Sequence, residues 1–169
     1  MLKQNLLIWL AAMMLPMAVL GVNNEEEDDA LTKGNIIGMF TEFDRAIAND
    51  QKNEEQTAFP YRENANMIAF WLKNNRFIEV DTEIDRSWFE RAAKMLDYMG
   101  ECKTFMVSFI RRDDIPKSPE YQKVKHNLEE AHKRFAELVK NPTPVDKDKL
   151  NKLREEKAKW EAQKRREQH

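Results

Sequence analysis

Acid–base, nucleophilic or metal chemistry in this 169-residue chain would have to be built from three histidines, one cysteine and 30 Asp and Glu side chains. The histidines are His126, His132 and His169. Glu129 and His132 form a Glu-x-x-His step, half of the unit that holds a di-iron centre. The full constellation needs two such steps and two further Glu in a bundle core, and the chain has one step only. With Tyr121 at heptad position a and Val124 at d, His126 falls at f, Glu129 at b and His132 at e. Those positions face water or the rim of a helical seam, so no metal site is expected. Cys102 lies among Met99, Phe105 and Met106, and the charges of Glu101 and Lys103 offset each other beside it. That setting predicts a buried core thiol, not an activated nucleophile. A single cysteine also excludes an internal disulfide framework and a multi-cysteine zinc site.

The carboxylates show no spacing that isolates a general acid and its base. Gly34-x-x-x-Gly38 lacks the Lys-Ser/Thr that follows in a phosphate-binding loop. The chain therefore reads as non-catalytic, with no cofactor. The place left for a small-ligand site or an enzyme is a pocket among Trp71, Trp88 and Phe109.

The elements that position these side chains read as helices. Only four glycines are present, too few for the many turns of a sandwich or barrel. Ile36, Phe40, Phe43 and Ile47 recur on one helical face, with Asn35 or Thr32 as a cap. Met67 to Leu72 crowd a second helix after Pro60, and Arg76–Val80 is ambiguous: it fits a short extended connection, but its three apolar residues are too few to decide. Ile84, Trp88, Ala92, Met95 and Met99 form a third stripe. A capping box at Ser87 and Glu90 is expected to start that helix and Gly100 to end it. Residues 101–112 fit a helix or a short buried strand, and helix is favoured because no second strand is available to pair with it.

Ser118-Pro119 predicts a helix start. Tyr121, Val124, Leu128, Ala131, Phe135 and Leu138 follow at alternating spacings of three and four, the a/d pattern of a coiled-coil seam. Thr143-Pro144 repeats the cap-plus-Pro pattern and starts a last helix, whose Leu150, Leu153 and Trp160 share a stripe interrupted by Lys157. The expectation is an all-α bundle of five or six helices. It closes with a coiled-coil-like hairpin in which residues 144–166 pack on 118–140.

The N-terminal segment carries the most specific signal. Lys3 precedes an uncharged run from Leu6 to Val22, and Glu25, Glu26, Glu27, Asp28 and Asp29 follow it. A positive end, an apolar run and a small residue before a cut after Gly21 predict an export signal. Uncleaved, the same segment would be a membrane anchor with residues 23–169 on the extracytoplasmic side, the orientation that the flanking charges favour. The organisation expected is a signal or anchor over residues 1–21, an acidic spacer over 22–30, a helical domain over 31–140 and a charged terminal helix over 141–169. The compartment expected is the periplasm or the exterior.

Net charge is -2, which argues against a nucleic-acid binder. The balance hides an asymmetry: residues 22–100 carry -8 and residues 101–169 carry +5. The halves can attract within one fold, between copies in a homo-oligomer, or toward an anionic surface. The function expected is an extracytoplasmic helical interaction or scaffold protein that binds a protein partner through Leu150, Leu153, Lys157, Trp160 and Lys164. The alternative is a membrane-anchored accessory subunit that touches the membrane through residues 6–22 only.

Overall fold

A computed structural model describes residues 31–52, 59–110 and 118–168. The expected signal or anchor and the acidic spacer lie outside the described residues. Six helices are formed among them: α1 Lys33–Gln51, α2 Tyr61–Asn74, α3 Ile78–Thr82, α4 Arg86–Ile110, α5 Pro119–Lys140 and α6 Lys147–Glu167. The all-helical expectation therefore holds for the described residues.

Three helix pairs build the core, all antiparallel. Along α2 and α4, Tyr61 meets Gly100 at one end, while the Arg86 guanidinium reaches the Leu72 carbonyl, 2.8 Å, and the Asn75 carbonyl, 3.2 Å, at the other. Along α4 and α5, the buried Trp88 donates Nε1–H to the Leu138 carbonyl at 2.8 Å. Along α1 and α5, Phe40 and Phe135 stack with centroids 6.3 Å apart. The stripes read from spacing face these contacts. Ile36, Phe40, Phe43 and Ile47 are buried, and so are Tyr121, Leu128, Ala131, Phe135 and Leu138 of α5.

Three local expectations are corrected. Gly100 does not end α4, which runs through it to Ile110. A Cβ at Gly100 would stand 3.0 Å from the Tyr61 Cβ, so glycine serves a close helix crossing there and not a C-cap. The start of α4 is capped by Asp85, whose Oδ1 accepts from the Ser87 backbone N–H at 2.9 Å, in place of a Ser87–Glu90 box. The undecided stretch Arg76–Val80 leads into α3, which is closed by Glu83 in the left-handed region at φ 56°. Finally, α6 begins at Lys147 under an Asp146 cap, not at Thr143-Pro144.

The expected hairpin of α6 on α5 is corrected as well. Residues 143–145 run extended beside residues 83–85: the Asp85 N–H donates to the Thr143 carbonyl at 2.8 Å and the Val145 N–H to the Glu83 carbonyl at 3.2 Å. This short antiparallel bridge directs the chain away from the α5 seam, and α6 packs on α3. The physical reason is composition. Only Leu150 of α6 is buried, so the helix has too little apolar face to extend a seam and settles where opposite charges meet it.

Candidate functional site

The partner-binding residues expected on α6 lie along its line of contact with α3. At the start of the helix, Lys149 Nζ sits 2.6 Å from Glu79 Oε1 and 3.0 Å from Asp85 Oδ2. One turn on, Arg154 meets Glu83 at 2.9 Å, and Lys157 then meets Asp81 at 2.6 Å. Glu156 reaches back to Arg76 at 3.6 Å. These contacts set one side of α6 against the alternating acidic residues Glu79, Asp81, Glu83 and Asp85 of the α3 corner. The line ends at Trp160, whose ring lies 5.8 Å from the buried Phe77, with Lys164 Nζ 5.2 Å from the indole centroid.

Each expected residue thus has a place. Leu150 is buried and Leu153 half-buried, and Lys157 is turned inward onto Asp81. Trp160 keeps 44% of its surface exposed, and Lys164 is exposed above it. Of the five expected residues, Trp160 and Lys164 are the exposed ones. Beyond Glu161 the hydrogen bonds and ion pairs of the described residues stay within α6. At about 1.5 Å per residue the helix is about 31 Å long against about 8 Å for α3, so its last turns overhang the helix that holds it.

Electrostatics hold this corner in place. Asp85 is lowered from 3.8 to about 2, first by the Ser87 hydroxyl and then by Lys149. The ammonium of Lys149 is raised above its usual value by hydrogen bonds to Glu79 and Asp85.

The alternative pocket does not form. Trp88 and Phe109 stand on one helix 21 residues apart, about 32 Å along its axis. Trp88 is fully buried between Phe40 and Phe89, so the two cannot line one cavity with Trp71. Glu129 and His126 are exposed. His132 is half-buried between helices: Nε2 lies 3.0 Å from Asp44 Oδ1 and Nδ1 lies 3.1 Å from Gln51 Oε1. It bridges α5 to α1. No grouping of three or more His, Cys, Asp or Glu that would hold a metal occurs among the described residues. Cys102 is buried, and burial raises its thiol above the usual 9.0.

A buried polar cluster escaped the sequence reading. Lys103, at the middle of α4, places Nζ 3.2 Å from Asp50 Oδ2, and Tyr61 donates its hydroxyl to the same oxygen at 2.8 Å. All three are buried, and so is Asn64, one turn along α2 from Tyr61. Burial, then the Asp50 charge, pushes the Tyr61 phenol well above the usual tyrosine range. A sequence signal for this cluster existed. Asp50 continues the Phe43–Ile47 stripe at a step of three, and Lys103 stands four after Met99 and three before Met106. A charge on an apolar stripe marks a buried pair.

Comparison with protein-family models, with characterised proteins and with solved structures finds no match to this chain.

Proposed function

We propose that the chain is a non-catalytic helical interaction protein of an extracytoplasmic assembly, and that the overhanging face of α6 takes a protein partner. The observation that carries this reading is Trp160: a large aromatic, 44% exposed, backed by Phe77 and flanked by Lys164 at the far end of a helix held mainly by ion pairs. Half-exposed Trp beside cationic side chains is the composition of an interface anchor. Leu150 and Lys157 serve the attachment of α6 to the body and Leu153 is half-buried, so the binding face narrows to Trp160 and Lys164. The uncharged Leu6–Val22 run supports export. Its retention as an anchor would make the same surface that of a membrane-bound accessory subunit, and N-terminal sequencing of the purified protein separates the two by a start at Val22 or at Met1.

The test places a photo-crosslinking amino acid at position 160 and captures the partner from the envelope fraction. Affinity and melting temperature are then measured on Trp160→Ala. An anchor loses about 2 kcal/mol or more of binding free energy on truncation. Unchanged affinity with a lowered melting temperature would reduce Trp160 to a structural clasp and remove this reading.

A further inference from the structure

A second surface, on the opposite pairing of helices, has the chemistry of a peptide groove. A cleft of about 420 Å³ runs between α4 and α5, with Met95 and Leu138 among its lining, cations at Arg91, Lys133 and Arg134, and Thr143 on the connection to α6. The volume lies in the range of clefts that take ligands. Leu138 is 7% exposed and Met95 half-buried, so the apolar floor is small, enough for one aliphatic side chain.

The cations differ in what already holds them. Lys133 is paired with Glu130 at 2.6 Å. Arg91 is oriented by the Thr143 hydroxyl oxygen at 2.8 Å and the Ser87 carbonyl at 3.4 Å, neither of which neutralises it. Arg134 is exposed and has no hydrogen-bonded carboxylate among the described residues. The single carboxylate in the lining, Glu137, is matched by Lys140 at 3.4 Å. Arg134 shares the charge of the Glu130 carboxylate with Lys133, while Arg91 has no carboxylate partner among the described residues, so two guanidiniums and an ammonium leave a cationic rim around one small apolar floor. Guanidinium is the side chain that takes carboxylates in a fork geometry. At the Asn141 end, the side-chain N–H donates to the Glu137 carbonyl at 3.0 Å.

From these features we infer that the α4–α5 groove binds an acidic peptide segment of a partner protein. One aliphatic side chain rests on Met95 and Leu138, and flanking carboxylates are held by Arg91 and Arg134. This site is separate from the α6 face and stands whether or not α6 binds a partner.

The probe is a fluorescein-labelled hexapeptide of glutamate and aspartate around a central leucine, titrated by fluorescence anisotropy into the intact chain. Arg134→Glu removes an exposed guanidinium of the groove, and Lys159→Glu makes the same change of net charge on exposed α6. Arg134→Glu is expected to weaken binding about tenfold, and Lys159→Glu far less, because a rim charge outside the contact acts mainly through screened attraction. Replacing the peptide leucine by alanine is expected to weaken binding about fivefold, through lost burial on the groove floor. Trp160→Ala is expected to leave the titration unchanged. Equal effects of Arg134→Glu and Lys159→Glu, indifference to the leucine, or loss of binding in Trp160→Ala would each overturn the assignment. So would a titration that does not saturate.

Discussion

Asp50 and Lys103 are buried together, and the sign of their contribution depends on which change is made. Removing two charges from water costs several kcal/mol per ion, and their attraction at 3.2 Å offsets this only with the help of the Tyr61 hydroxyl and the Asp50 carbonyl, 3.5 Å from Nζ. Lys103→Met leaves a buried carboxylate with its cation gone and is expected to lower stability by about 3 kcal/mol or more in urea unfolding. Adding Asp50→Leu to that variant is expected to recover part of the loss, because the uncompensated charge goes with it. A double variant that loses the sum of the two single losses would show that the pair is not coupled. The titrating groups nearby make a second expectation. The Tyr61 phenol and the Cys102 thiol are raised above 10.0 and 9.0 by burial, so the unfolded chain gives up these protons first. Their contribution is fully present below those values and is lost progressively as pH rises from them through the higher folded values. Stability is therefore expected to fall above about pH 9, and Tyr61→Phe to flatten that alkaline fall in a pH series of melting temperatures.

At the scale of the helix, glycines of one chain are expected to respond with opposite signs to the same substitution. Gly34 and Gly38 lie within α1, and a Cβ at either would meet nothing within 4 Å. Alanine there gains helix propensity at no packing cost, so each change should stabilise by about 0.5–1 kcal/mol. Gly100 also lies inside a helix, but its Cβ would press on the Tyr61 Cβ at 3.0 Å and approach the Arg62 backbone nitrogen at 3.7 Å. The neighbour is the stem of a buried side chain, so α2 and α4 must separate. Gly100→Ala is expected to lose about 1–3 kcal/mol, opposite in sign to the α1 changes, with midpoints in urea as the readout.

The contrast also says what sequence carried and what it did not. Apolar stripes repeat with the helix, so α1, α4 and α5 and many of their inward residues were readable from Ile36, Trp88 and Tyr121 onward, while the buried Phe89, Leu96 and Lys103 of α4 and Val139 of α5 were not read as inward. Gly100 was misread because a glycine after a stripe signals a C-cap unless the opposing helix is known, and that helix lies about 40 residues earlier in the chain. The placement of α6 was misread for a similar reason. Leu150, Leu153 and Trp160 look like the remains of a seam, while the acidic partners at Glu79, Asp81, Glu83 and Asp85 are distant in sequence. Of the candidate site, the identity of Trp160 as its aromatic was legible, and Phe77 behind it was not.

Across the whole molecule, the division of charge between the halves of the chain is met inside the fold. The basic C-terminal half delivers Lys149, Arg154 and Lys157 to carboxylates of the acidic half at the α3 corner. One buried leucine and a half-exposed tryptophan accompany them. The core around Phe40, Trp88 and Phe135 is held mainly by apolar packing, and the Asp50–Lys103 pair beside it is buried away from screening ions. The two parts should therefore separate under conditions that act on charge alone. Exposed ion pairs contribute about 0.2–1 kcal/mol each, and raising salt from 0.1 M to 1 M shortens the screening length from about 10 Å to about 3 Å.

Acid acts on the same corner. Asp85, lowered to about 2 from 3.8, contributes above the upper value and loses its contribution as pH falls through the lower one. Hydrogen exchange followed by peptide is the measurement. At 1 M salt, and again as pH falls from 4 toward 2, amides of α6 after Leu150 are expected to exchange faster once the intrinsic rate is corrected for pH, while those of α4 and α5 hold their protection. Lys157→Gln, which removes one ion pair, should reproduce part of that acceleration at low salt. Uniform acceleration across α4, α5 and α6 would mean that the terminal helix and the core open as one unit, and the ion pairs along α3 would then have no separate role in holding it.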